Sequence, residues 1–322
     1  MARKPKTMSM QAALQDQAHP NQVVADFLLT EIEKVIVGQR ETLRLLLATV
    51  LTRGHVLLED RPGVGKTVLA RSLGALFGLE MGRIQGTPDL LPTDITGVHI
   101  FNPESQSWDF RAGPVFSPLV LVDELNRATA KAQSALLEAM AEGQVTVDGE
   151  TMQLPQPFMV IATQNPHGDA GTHRLGAAQL DRFAVQLSLG LPGRDAERAV
   201  IMKQAGATQG ASVRAVSAPA DLPRLFGAVD SVSVDATLIN YALDVVEALR
   251  DLDPQVWLSV RVSETVVSVA KGFAYMNGRS YVAPEDIQAV ALPVVRHRMP
   301  AGVDDAAVLG TILAQSVPVH GV

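Results

Sequence analysis

Residues 60–67 read Asp-Arg-Pro-Gly-Val-Gly-Lys-Thr and stand between an apolar run, His55-Val56-Leu57-Leu58, and a segment of helical periodicity. Few folds accommodate such a string. The glycines let consecutive backbone amides converge on one point, and at a helix N-terminus those amides make an anion site. Lys66 is placed to reach the β and γ oxygens of a nucleoside triphosphate, and the Thr67 hydroxyl to ligate magnesium. The strict pattern has Gly where Asp60 stands, but the amide-rich stretch from Pro62 to Thr67 is complete. Arg61, Pro62, Gly63, Val64, Gly65, Lys66, Thr67 and Val68 therefore form the candidate nucleotide loop, with ATP and Mg²⁺ as cofactors. The alternative is a Gly-rich turn without a ligand.

A loop of this kind needs a strand before it and a helix after it, and the rest of the chain supplies that rhythm. Helical patterns alternate with short apolar runs at 55–58, 83–85, 119–122, 158–163 and 184–189. Five such runs separated by helices predict a three-layer α/β core on a five-stranded parallel sheet. Two segments depart from the rhythm and read as β-hairpin inserts, 98–111 and 144–154. The second turns on Asp148-Gly149, a type I′ signal. Beyond 193 the strand signals stop and helical patterns follow at 196–204, 235–252, 263–276 and 284–298, a small all-α lid. The expected division is a flexible tail at 1–20, the core at 21–192 and the lid at 193–322.

Three further strings carry chemistry. Pro118-Leu119-Val120-Leu121-Val122 is an apolar strand running into Asp123 and Glu124. Asp123 would hold Mg²⁺ through water and Glu124 would polarise the attacking water; a solvated strand end is the plainer alternative. Phe158 to Asn165 is a second buried strand, and the Asn165 amide could sense the γ-phosphate, unless it only starts the turn before Pro166. In Gln179-Leu180-Asp181-Arg182-Phe183, Arg182 could act on a neighbouring subunit's γ-phosphate as an arginine finger, or pair with Asp181 on the surface. Arg174 is the next residue to consider for that role.

Composition narrows the partners. A net charge of −7 gives no electrostatic case for direct nucleic-acid contact. The absence of cysteine excludes disulfides and thiolate metal sites. No run approaches the ~20 apolar residues of a membrane span, and the first residues lack a signal-peptide core, so no membrane insertion and a cytoplasmic location are expected. His167 and His173 lie in a Gly-rich loop without nearby paired carboxylates and read as solvated rather than as metal ligands.

These motifs, in this order, resemble the AAA+ superfamily, and longer strings resemble its MoxR family. They include Val37-Gly38-Gln39, Thr87-Pro88-Asp89-Leu90-Leu91-Pro92, Asp94-Ile95-Thr96-Gly97, Gly113-Pro114-Val115-Phe116, the segment 133–146 and Arg296-His297-Arg298. The resemblance implies that Val37, Gly38 and Gln39 border the nucleotide and that Arg261 reaches it from the lid. It also implies that both hairpins face the pore or client of a homo-oligomeric, hexameric ring. A protein client and a von Willebrand factor A domain protein are the partners it implies; that domain's Asp-x-Ser-x-Ser motif is absent here, so it would lie on another chain. The chain departs from the family's common pattern at Gly86, Gly176-Ala177 and 257–260. A regulatory nucleotide switch, a magnesium-chelatase-like subunit and a nucleic-acid motor are the rival readings.

Overall fold

A computed structural model describes residues 20–61, 63–165, 175–191, 193–204, 213, 215, 221–300 and 302–317. Helices α1 (Pro20–Glu33) and α2 (Arg40–Leu51) are separated by the loop that carries Gly38. Strand β1 (Val56–Glu59) leads through the glycine loop into α3 (Lys66–Phe77) and then β2 (Met81–Gln85). A short helix α4 (Pro92–Thr96) opens the first hairpin, β3 (Gly97–Asn102) and β4 (Ser107–Ala112). Strand β5 (Leu119–Asp123), helix α5 (Ala130–Glu142) and the second hairpin, β6 (Gln144–Val147) and β7 (Glu150–Gln153), follow. Strand β8 (Met159–Gln164), one turn of helix α6 (Ala177–Leu180) and β9 (Val185–Leu187) complete the sheet.

The five core strands pair in the order β2-β5-β8-β1-β9, all parallel. The near-continuous apolar character of β1, β5 and β8 follows from burial on both faces, whereas the edge strand β2 exposes Arg83 and Gln85. On one face Val56, Leu58, Leu119, Leu121, Met159, Ile161, Val185 and Leu187 join an apolar cluster that runs through α1–α3 into the lid. On the other, Leu57, Ile84, Val120, Val122, Val160 and Ala162 pack with α5 and the second hairpin. Because every strand ends at the same edge, the residues just past β1, β2, β5 and β8 are gathered into one crevice, the usual ligand position in an open parallel sheet.

The hairpins sit where their patterns place them. Asp148 and Gly149 both take positive φ, 50° and 86°, as the type I′ turn demands. The first hairpin carries Trp108, 67% exposed, edge-on to Phe101 with centroids 5.5 Å apart. His99 Nδ1 donates to Asp148 Oδ2 at 2.9 Å, so the two inserts touch.

Beyond 193 the chain is helical among the described residues: α7 (Arg194–Gln204), α8 (Leu222–Asp230), α9 (Ala236–Arg250), α10 (Val260–Met276), α11 (Pro284–Val295) and α12 (Asp305–Ala314). Helices α8 and α12 are not among the sequence expectations. Pro223 and Gly227 disguise α8, although proline is well tolerated in a first turn and Leu222, Leu225, Phe226 and Val229 form its buried stripe. Helix α12 lacks a polar stripe and buries only Val308 and Ile312. Pro293 lies inside α11, where it cannot donate a backbone hydrogen bond, and the helix gives way to a 3₁₀ turn at Arg296–Arg298 rather than continuing to Arg298.

Candidate functional site

Gly63 and Gly65 take φ of +91° and +94°, backbone that only glycine adopts without strain. A β-carbon built on Gly63 would meet nothing within 4 Å, so the loop's concave side is open. Gly65 is the N-cap of α3, whose first amides face the crevice. A cavity of about 190 Å³ adjoins the loop. Val35, Ile36, Val37 and Gln39 line one side, Leu189 and Gly190 another, and Gly63, Val64, Gly65 and Val68 the third. Gly38, at φ +82°, shapes the first wall, and Arg61 is exposed at the loop's start. Pro62 lies outside the described residues.

Lys66 is 9% exposed and its ammonium donates to the Asp60 carbonyl, to the Gln164 carbonyl at 3.4 Å and to Asn165 Oδ1 at 3.5 Å. Burial lowers its pKa, opposed by the carboxylates of Asp60, Asp123, Glu124 and Glu59. Asp60 itself, the departure from the usual glycine, accepts from Ser188 Oγ at 2.7 Å, Leu189 N at 2.7 Å and Gly190 N at 3.1 Å. One carboxylate thus ties the start of the loop to the far wall of the cavity.

The carboxylates at the end of β5 adopt different postures. Asp123 continues the strand and stands beside Thr67, whose hydroxyl is 3.4 Å from each carboxylate oxygen. Glu124 turns into the left-handed region at φ 56°, with its amide donating to Thr163 Oγ1 at 2.8 Å. That backbone costs about 1–2 kcal/mol for a residue with a β-carbon. It swings the side chain to the end of β8, where Asn165 Nδ2 donates to Glu124 Oε1 at 3.3 Å. The Asn165 amide therefore spans Lys66 on its oxygen and Glu124 on its nitrogen. Its position is set by Asn126, 1% exposed, which donates to the Asn165 carbonyl at 3.2 Å.

Arg182 and Arg261 lie apart from this network. Arg182 is partly buried, and Asp181 pairs with the lid instead: with Arg298 Nε at 3.1 Å and Arg261 Nη1 at 3.8 Å. The surface pairing of Asp181 with Arg182 is thereby replaced. Arg298, 4% exposed, also donates to the Phe183 carbonyl at 2.8 Å, and His297 meets the same oxygen at 3.1 Å. Arg174, His167 and His173 lie outside the described residues.

A family model described as "ATPase family associated with various cellular activities (AAA)" matches residues 55–185, and an "AAA lid domain" model matches 258–310. Protein YeaC of Bacillus subtilis (strain 168) is 43% identical over 289 residues, covering 89% of each chain. Chaperone MoxR1 of Mycobacterium tuberculosis is 38% identical over 279 residues, covering 84% of this chain and 74% of its own. The chain belongs to the MoxR family of AAA+ ATPases. A crystal structure from Cytophaga hutchinsonii superposes with a TM-score of 0.81 at 34% identity, covering 92% of this chain and 95% of that one.

Gly86 is the first of the three departures from the pattern of the family that the sequence resembles. Here a β-carbon at Gly86 would sit 2.2 Å from the Glu124 carbonyl oxygen, and the Gly86 amide donates to the Asp123 carbonyl at 2.6 Å. The end of β2 is pressed against the backbone that carries both acids. The departure at 257–260 leaves Trp257 and Val260 exposed at 84% and 72%. Residues that sequence reasoning missed cluster around the acids. Arg83 donates to Asp123, Gln85 Nε2 to Glu124 Oε2 at 3.3 Å, and Arg127 Nη1 to the same oxygen at 3.1 Å. The polar-apolar-polar alternation of Arg83-Ile84-Gln85, which reads as a strand with one exposed face, was the available signal. Among the described residues no helix is long and apolar enough to cross a membrane.

Proposed function

We propose that the protein hydrolyses ATP with magnesium and couples turnover to remodelling of a protein client. The observation that carries this reading is the Asn165 amide held between Lys66 and Glu124. A γ-phosphate oxygen beside Lys66 and a water beside Glu124 would then be oriented by one group. Thr67 and Asp123 offer hard oxygen donors side by side, which suits Mg²⁺. Bound there, the metal would neutralise charge on the phosphates. The chain's own residues do the rest: the loop amides and Lys66 bind phosphate oxygens, Thr67 and Asp123 orient the metal, and Glu124 accepts the proton of the attacking water.

The adenine would sit in the cavity between Val37 to Gln39 and Gly190. Arg261 would leave Asp181 for the nucleotide when the lid closes, and Arg182 would serve the site of the next subunit in a hexameric ring. Arg174 is the alternative for the latter role. The core at 21–192 and the lid at 193–322 are the units that move, and a von Willebrand factor A domain protein is the proposed partner in the cytoplasm. The test is phosphate release from ATP with and without magnesium, alongside sedimentation of the same samples. Magnesium-dependent turnover that rises with the assembled fraction supports the reading. Nucleotide binding without turnover in assembled samples overturns it in favour of a switch.

A further inference from the structure

We propose that Arg83 is a positioning residue for the metal ion, acting through Asp123. The inference rests on reading Thr67 and Asp123 as the magnesium-holding pair. In the sheet, β5 lies between β2 and β8, and β1, which feeds the phosphate loop, lies beyond β8. Arg83, on β2, thus approaches Asp123 from the side opposite the phosphate loop. Its Nε and Nη2 both donate to Asp123 Oδ2, at 3.1 and 2.9 Å. Nη2 also reaches Gln85 Oε1 at 3.3 Å, which fixes the plane of the guanidinium. With Oδ2 held from outside by two bonds from one guanidinium, rotation of the carboxylate is restrained, and both of its oxygens are kept beside the Thr67 hydroxyl, 3.4 Å from each.

Two effects of Arg83 on a metal oppose each other. Its positive charge repels a dication, and its hydrogen bonds hold the ligand in place. The arginine side chain is 47% exposed, so water and salt screen the repulsion, whereas the Asp123 side chain is only 10% exposed and has few other ways to be held. Orientation is the larger effect, and outer partners of metal ligands typically contribute 10–100-fold in metal affinity.

The experiment titrates magnesium into the full chain with a ribose-labelled fluorescent ADP and follows binding, so that no turnover is needed. For Arg83→Gln, the half-saturating magnesium concentration rises by roughly 10–100-fold while affinity in EDTA is unchanged. Arg83→Lys falls between the two, since one ammonium replaces a two-pronged contact. Should Arg83→Gln fail to fold, Arg83→Lys carries the same titration. An unchanged or lower magnesium requirement would overturn the proposal, leaving Arg83 a surface pair or a rival of the metal. Binding by the parent protein that ignores magnesium would instead overturn the reading of Thr67 and Asp123, and the proposal with it.

Discussion

Replacing Asp60 with alanine removes the carboxylate that joins the phosphate loop to the exit of β9. The side chain is 6% exposed and accepts three hydrogen bonds, at 2.7, 2.7 and 3.1 Å. Hydrogen bonds to a charged group contribute about 1.5–3 kcal/mol each, and a buried donor left without a partner costs about 1–3 kcal/mol. Leu189 is 2% exposed, so its amide bears that full penalty, whereas Ser188 and Gly190 are partly exposed and can rehydrate. The expected loss is therefore about 3–5 kcal/mol, a large share of the ~5–15 kcal/mol that stabilises a typical domain. Asp60→Gly, which restores the usual motif residue, is expected to cost at least as much. Urea unfolding followed by far-ultraviolet circular dichroism measures it as a lower midpoint. Because Asp60 is also the foremost charge favouring protonated Lys66, nucleotide affinity should weaken at a lower pH than in the parent. Unfolding free energies within about 1 kcal/mol of the parent for both variants would refute the reasoning.

His55 accepts a hydrogen bond on Nδ1 from Val160 N at 3.0 Å and donates from Nε2 to the Met140 carbonyl at 3.3 Å, and burial lowers its pKa from 6.5 to about 4. The folded state thus favours the neutral ring: this contribution is complete above pH ~6.5 and lost as pH falls towards 4, about 3 kcal/mol in all, which a His55→Gln variant should flatten in urea titrations across that window. Gly86→Ala places a methyl against the Glu124 carbonyl, so turnover should fall at least tenfold, roughly 1.4 kcal/mol of barrier, with ADP affinity kept; unchanged turnover would count against the pressed strand ends. Arg182→Ala and Glu124→Gln should each be inactive alone, yet random mixing should restore activity at about a quarter of interfaces, where an intact Glu124 meets a neighbour's Arg182. No rescue among rings that exchange subunits would argue against action in trans.

Much of the fold was legible because burial on both sheet faces leaves runs such as Leu119 to Val122 that admit few readings. The phosphate loop, the acids after β5 and Asn165 after β8 were legible for a related reason: each directly follows an apolar strand, and parallel pairing brings such ends together. The partners of those groups were not. Arg83 and Gln85 meet Asp123 and Glu124 only through the β2–β5 register, which pairs Gln85 with Asp123 and is invisible before the strand order is known. Asp60 read as a lapse in a motif because its acceptors' partners lie at 188–190, far along the chain. The plainer alternative for Arg182 paired it with its neighbour Asp181, whereas the lid brings Arg298 and Arg261 to Asp181 from the other end of the sequence.

The proposed roles of Lys66 in binding and Glu124 in hydrolysis are tested most directly by one paired measurement: bound ATP and released phosphate determined on the same samples of the parent, Lys66→Ala and Glu124→Gln. Lys66→Ala is expected to lose binding, since it removes the buried ammonium proposed to meet the phosphates. Glu124→Gln is expected to bind ATP as the parent does and to release phosphate at least 10²-fold more slowly, because an amide cannot accept the proton of the attacking water. Phosphate release by Glu124→Gln at the parent's rate would contradict the account.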